Sequence, residues 1–139
     1  MSEKIEVLFK KDNKKEISYI EIWESDEKME HEDEVRVDFI YFDKKISKYA
    51  DNFFDALLEL RKELEELGIH LLCKGCSKTV YPSAMQLNMG EGRQAYDLTL
   101  GKQASNNMIV DIFAPCNENE YASAEEQHSY FLKWIESLH

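Results

Sequence analysis

Residues 51–67, DNFFDALLELRKELEEL, decide how the rest of the chain is read. Phe53, Leu57, Leu60, Leu64 and Leu67 recur at spacings of three and four, and Phe54 and Leu58 widen the stripe. That period is the mark of a helix laid on a core. The charged residues Asp55, Glu59, Arg61, Lys62, Glu63, Glu65 and Glu66 are assigned to its wet side. Asp51 is the expected N-cap, because a carboxylate there accepts a free backbone N–H. Gly68 follows, able to end the helix in the left-handed conformation.

This helix divides two groups of strand-like segments. Before it, 3–10 (EKIEVLFK), 17–23 (ISYIEIW) and 35–43 (VRVDFIYFD) carry β-formers in loose alternation. After it, 69–74 (IHLLCK), 93–102 (RQAYDLTLGK) and 107–115 (NMIVDIFAP) do the same. A second helix starts at Ser123, where Ser123 and Glu126 match a capping box. Its inner face is read as Ala124, His128, Phe131, Leu132, Ile135 and Leu138. The expected order is β-β-β-α-β-β-β-α. Strands grouped on either side of one helix imply an α+β fold, with a mostly antiparallel sheet of about six strands and both helices on one face. The 139 residues fit a single domain spanning 1–139.

Hydrophobic residues make up 43% of the chain, enough for a core without disulfides. The net charge is −11, from 28 acids against 17 bases. Such a balance repels nucleic acid and anionic lipid and attracts a basic protein. No stretch approaches the roughly 18 apolar residues of a membrane span, and the N-terminus lacks the apolar run of a signal peptide. Three cysteines make an odd number for a secreted disulfide scaffold, so a cytoplasmic location is expected.

Cys73-Lys74-Gly75-Cys76 is the most chemical-looking motif. It would supply two ligands of a zinc site, with His70, Cys116 and His128 as candidates for the others, but no second paired knuckle exists. A thioredoxin-like pair needs a helix after its first cysteine, and "SKTVYP" does not read as one. The favoured reading is therefore two small side chains beside a turn, with no metal, no cofactor and no catalysis; a small metal-binding protein or enzyme using Cys73 and Cys76 is the alternative. Asp97 and Asp111 are expected to pair with bases such as Arg93 or Lys102 rather than to form a catalytic dyad. Gly90 and Gly92 in "MGEGR" lack the remaining parts of a phosphate-binding loop.

Two features suit partner binding. Nine acids (Glu21, Glu24, Asp26, Glu27, Glu30, Glu32, Asp33, Glu34 and Asp38) face only Lys28 and Arg36 between residues 21 and 38. A cluster of one sign speeds capture of an oppositely charged partner. The loop 81–93 carries Tyr81, Met85 and Met89 beside Pro82, Leu87 and Arg93, with one helical turn expected after Pro82. Aromatic and methionine side chains are common anchors of binding surfaces. An open sheet edge would also permit a homodimer.

The C-terminal half, 68–138, resembles a group of small bacterial proteins through Tyr81-Pro82-Ser83, Met85, Met89, Gly90, Gly92, Ala95-Tyr96, Leu98, Leu100-Gly101, Ala104 and Val110-Asp111-Ile112-Phe113. Such proteins look like the immunity partners encoded beside secreted bacterial toxins. The resemblance carries no catalytic residues and does not include the two cysteines. It implies a non-catalytic binding protein that occludes a toxin domain; the acidic surplus and the 81–93 loop, read from the residues themselves, then make the partner basic and give Glu24, Asp26, Glu27, Glu30, Glu32, Asp33, Glu34, Tyr81, Met85 and Met89 as the expected contact residues.

Overall fold

The computed structural model describes residues 2–25 and 34–139. Asp12 and Asn13 reverse the chain at φ 53° and 63°, the conformation a two-residue hairpin turn requires. They join β1 (Ser2–Lys11) to β2 (Lys14–Trp23), paired antiparallel from Ser2 opposite Trp23 to Lys11 opposite Lys14. A second hairpin joins β3 (Val35–Tyr41) to β4 (Lys44–Ala50), with Phe42 at φ 55° in the turn. The strand β4 escapes a hydrophobicity reading because three of its seven residues are lysines. It is an edge strand, where lysines oppose further pairing. Lys48 on that strand donates to Glu63 at 2.8 Å.

The chain then forms α1 (Phe53–Glu66), which lies across β3, β4 and β5 (His70–Leu71). Its N-cap is Asn52, one residue later than expected; the side-chain oxygen accepts from the Asp55 N–H at 2.8 Å. Gly92, at φ +72°, passes so close that a Cβ there would lie 2.8 Å from the Asn52 oxygen. The sheet runs β4-β3-β2-β1-β5. Val7, Phe9, Ile20, Ile22, Val37 and Phe39 on its inner face bury against Leu57, Leu60 and Leu64 of α1.

The fold is α+β and antiparallel, but the eight strands among the described residues divide into two sheets rather than one of about six. The chain leaves the large sheet through a single 3₁₀ turn at Lys74–Cys76. It then builds a small sheet of β6 (Val80–Tyr81), β7 (Gln94–Asp97) and β8 (Ile109–Asp111), ordered β6-β7-β8. Each pairs over fewer residues than its hydrophobic run spans. The carbonyl and side chain of Asp111 take the N–H groups of Ala114 and Phe113, which turns the chain after three paired residues. The helical turn expected after Pro82 is α2 (Ala84–Met89), held by a capping box between Ser83 and Gln86.

The last helix, α3 (Ala124–Ser137), starts at the Ser123–Glu126 capping box as expected. It meets α1 and β6 and does not lie on the large sheet, so only α1 covers that face. Its anticipated inner face is largely open. Leu132 is 48% and Ile135 38% exposed, His128 is exposed, and the one buried residue is Gln127. Among the described residues no helix is long and apolar enough to cross a membrane.

Gln127 is buried because it answers Arg61, which the helical pattern had placed in solvent and which is only 2% exposed. The Arg61 guanidinium donates to the Gln127 side-chain oxygen at 2.7 Å, to the carbonyls of Gly75 at 3.3 Å and Cys76 at 3.4 Å, and to that of Ala122. The Gln127 amide in turn donates to the carbonyls of Gly75, Ser77 and Val80, each at 2.9 Å. Gly75 has no room for a side chain, since a Cβ would sit 2.4 Å from Leu57 Cδ2 and 3.1 Å from Ile112 Cβ.

Two substitutions on α3 should therefore behave oppositely to a hydrophobicity reading. Gln127→Ala takes one acceptor from the buried Arg61 and the shared donor from three carbonyls, and should lower stability to urea by about 3 kcal/mol. Leu132→Ala on the open face should cost no more than about 0.5 kcal/mol. Gly75→Ala should cost roughly 1–3 kcal/mol by overpacking against Leu57 and Ile112.

Candidate functional site

Of the acidic contact residues, Glu24 and Glu34 flank the segment and are described, while Asp26, Glu27, Glu30, Glu32 and Asp33 lie outside the described residues, as does His31. Glu24 is exposed just past β2, and Glu34 is half-buried just before β3. Both ends of the segment are thus fixed at the same end of the β2–β3 pair, where Trp23 lies opposite Arg36.

Glu24 lines a cleft of about 270 Å³ together with Glu3, Ile22, Phe53, Glu91 and Arg93. Gly90 completes one wall, and Gly90 directly follows the last residue of α2. Glu24, at the start of the acidic run, therefore lies beside the C-terminal end of the methionine-bearing helix. Met85 and Met89 on α2 are 72% and 83% exposed. Leu87 on the same helix packs against the core. A six-residue helix with one apolar residue inward and two methionines outward makes a platform rather than a plug.

Glu91 sits at φ 55°, and its backbone carbonyl takes the first N–H of α1, from Phe53, at 2.6 Å. Partial burial pushes its carboxyl above the usual range, the nearby Glu24 carboxylate adds to this, and an N–H from Ser25 works against it. Opposite it, Arg93 makes a two-pronged pair with Glu3 at 2.8 and 3.0 Å and reaches Asp111 at 3.3 Å. This pair ties β1 of the large sheet to β8 of the small one. Asp111 thus has the arginine partner expected of it, whereas Asp97 accepts from the Thr79 hydroxyl at 2.5 Å.

Tyr81 is half-buried and lies apart from the methionines' outer surface. Its ring stacks on Phe131 at 4.0 Å and meets Phe54 edge-on at 5.3 Å. Its hydroxyl lies 3.3 Å from His128 Nδ1. Phe54, Leu58, Tyr81 and His128 line a groove of about 400 Å³ between α1 and α3, with Glu65 and Glu125 on its rim. The remaining histidine of the early strands, His70, is exposed and stacks on Tyr121 at 4.3 Å.

The thiols of Cys73 and Cys76 are 3.8 Å apart, and both side chains are wholly buried. Among the described residues no three histidine, cysteine, aspartate or glutamate side chains converge to hold a metal ion. Arg61, Gln127 and Glu91 were not singled out from the sequence. For Arg61 a signal existed: it lies four residues after Leu57 and three before Leu64, on the border of the buried stripe. No family model matches the chain, and no curated protein matches it.

The raised carboxyl of Glu91 makes a pH prediction. The folded chain holds this proton more tightly than the unfolded one, so stability contributed here is present at low pH and is lost as pH rises through the raised value. Glu91→Gln removes that loss. Its urea midpoint should exceed wild type at about pH 7 and converge with it near pH 4, where the unfolded carboxyl is itself about half-protonated.

Proposed function

We propose that this chain is a non-catalytic binding protein that blocks a basic protein partner, in the manner of an immunity protein occluding a bacterial toxin domain. The observation that supports this reading is that Glu24, at the start of the acidic run, shares one cleft with Gly90 and Glu91, directly after the methionine-bearing helix. Charge and anchor then belong to one face. Glu24, Asp26, Glu27, Glu30, Glu32, Asp33 and Glu34 draw in lysine and arginine side chains of the partner, and Met85 and Met89 fill apolar hollows between them. Tyr81 contributes from the neighbouring groove rather than from the platform itself.

The net charge of −11 supports the sign of the partner. A domain that grips phosphate carries the complementary charge in its groove. Exposed methionines are suited to this work because their flexible, polarizable side chains adapt to an irregular surface. The interaction takes place in the cytoplasm, where a toxin-producing cell needs protection. The chain acts by filling the groove and needs no cofactor.

Two variants separate steering from anchoring in a binding assay against the basic toxin domain encoded by the neighbouring reading frame. Reversal of Glu30, Glu32, Asp33 and Glu34 to lysine should slow association by about tenfold or more at low salt and flatten its salt dependence. Met85→Ser with Met89→Ser should leave association unchanged and speed dissociation by roughly 100-fold or more, from about 1.5 kcal/mol of lost burial per side chain. Rates indifferent to both sets of changes would refute the docking face.

A further inference from the structure

The buried pair Cys73 and Cys76 takes no part in that face, and its geometry suits a different task. Cys73 is the cap of the 3₁₀ turn and Cys76 its last residue, with the Cys76 N–H donating to the Cys73 carbonyl at 2.9 Å. Only this one 3₁₀ turn separates the two cysteines, and residues 77–82 form no helix after it. Residues at the two ends of such a turn have Cα atoms within about 7 Å, inside the range a disulfide tolerates. The sulfurs, at 3.8 Å, are already in contact and need to close by roughly 1.8 Å to bond.

We propose that Cys73 and Cys76 are a redox site, converted from dithiol to disulfide by hydrogen peroxide. The oxidant must be small, since neither sulfur is open to solvent and the turn between them is wedged against Leu57 and Ile112. Cys76 is the attacking member, because the Arg61 guanidinium donates to its carbonyl and interacts more strongly with the Cys76 sulfur than with that of Cys73. Cys76 gives up its proton and its sulfur attacks one peroxide oxygen. The O–O bond breaks, and the leaving hydroxide takes the proton to become water. The resulting sulfenic acid is attacked by the Cys73 sulfur. The S–O bond breaks, the hydroxyl leaves as a second water with the Cys73 proton, and the S–S bond forms. Two electrons pass from the two sulfurs to one peroxide.

The surrounding charges agree with this division of labour. The hydrogen bond from Cys73, helped by the Arg61 charge, holds the Cys76 thiol below its ordinary value in spite of burial. The same bond and burial push Cys73 well above it. The third thiol, Cys116, is pushed up to about 12 by burial and stays protonated as a bystander.

The test is to expose reduced, folded protein to hydrogen peroxide, remove the peroxide with catalase, unfold, alkylate and map the peptides without reduction. The expected product has lost two hydrogens, carries a Cys73–Cys76 crosslink and an alkylated Cys116, and returns to the dithiol with dithiothreitol. Cys73→Ser should stop the reaction at a Cys76 sulfenic acid that dimedone traps. Three alkylated thiols after a dose that oxidises free cysteine would overturn the proposal. So would a crosslink through Cys116, or a pair oxidised only to sulfinic acid. Wild-type mapping alone decides the matter if the variant does not fold.

Discussion

A buried guanidinium fixes the register of the two halves of this chain. Arg61 reaches from α1 of the first half to the carbonyls of Gly75, Cys76 and Ala122 and to Gln127 of α3. Taking an arginine out of water costs several kcal/mol unless its donors are answered. Here four of its hydrogen bonds end on oxygen atoms spread over three segments, so the cost is offset only when all three are in place. The hub is therefore directional. A greasy contact tolerates sliding by a residue, whereas these bonds fix the 3₁₀ turn and α3 in one register. Burial opposes the charge on Arg61, but the neighbouring Cys76, Tyr121 and Glu65 outweigh it and hold the guanidinium above its ordinary pKa.

The nature of that anchor explains the surface. Because α3 is held by a buried amide, it does not need its apolar residues for docking, and they are left outside. Leu132 and Ile135 face solvent, and Phe131 covers Tyr81 instead of entering the main core. Charge is distributed by the same logic. Lys10 and Lys15 meet Glu118, Lys74 meets Glu120, and Arg93 meets Glu3 and Asp111. These bases are occupied in linking separate segments of the chain. The surplus of acid therefore falls on the outer surface, where it can act on another molecule.

The elements that local pattern governs were legible. The apolar stripe of α1, the capping box of α3 and the alternation of β1, β2 and β3 all follow from residue spacing. The lysines of β4 hid a strand that exists because Val35–Tyr41 offers it a partner. The division into two sheets was not legible either. A run such as 93–102 alternates along its length, but pairing extends only as far as β6 and β8 reach, from Gln94 to Asp97. Arg61 and Gln127 were hidden for a related reason. Charge and amide groups read as wet until their partners are known, and those partners lie 66 residues apart. Of the loop residues, Met85 and Met89 are exposed, while Tyr81 is taken up by the groove.

The proposed docking face has an electrostatic consequence at its own centre. Glu91 and Glu24 share a cleft with Phe53, Ile22 and the Arg93–Glu3 pair, and the Glu24 charge adds to the burial that raises the Glu91 carboxyl. Two acids beside an apolar floor make an unfavourable arrangement for the isolated chain. The aliphatic stem and charged tip of a lysine or arginine would reverse both terms, covering the floor and placing a cation between the carboxylates. Such a group binds the deprotonated cleft in preference to the protonated one, so its capture would drive a proton off Glu91. The cleft would then discriminate by charge and by stem, which an exposed acidic loop alone does not. The repulsion carried by the free chain is thus the reason a basic partner would gain more here than at any carboxylate already paired with its own arginine.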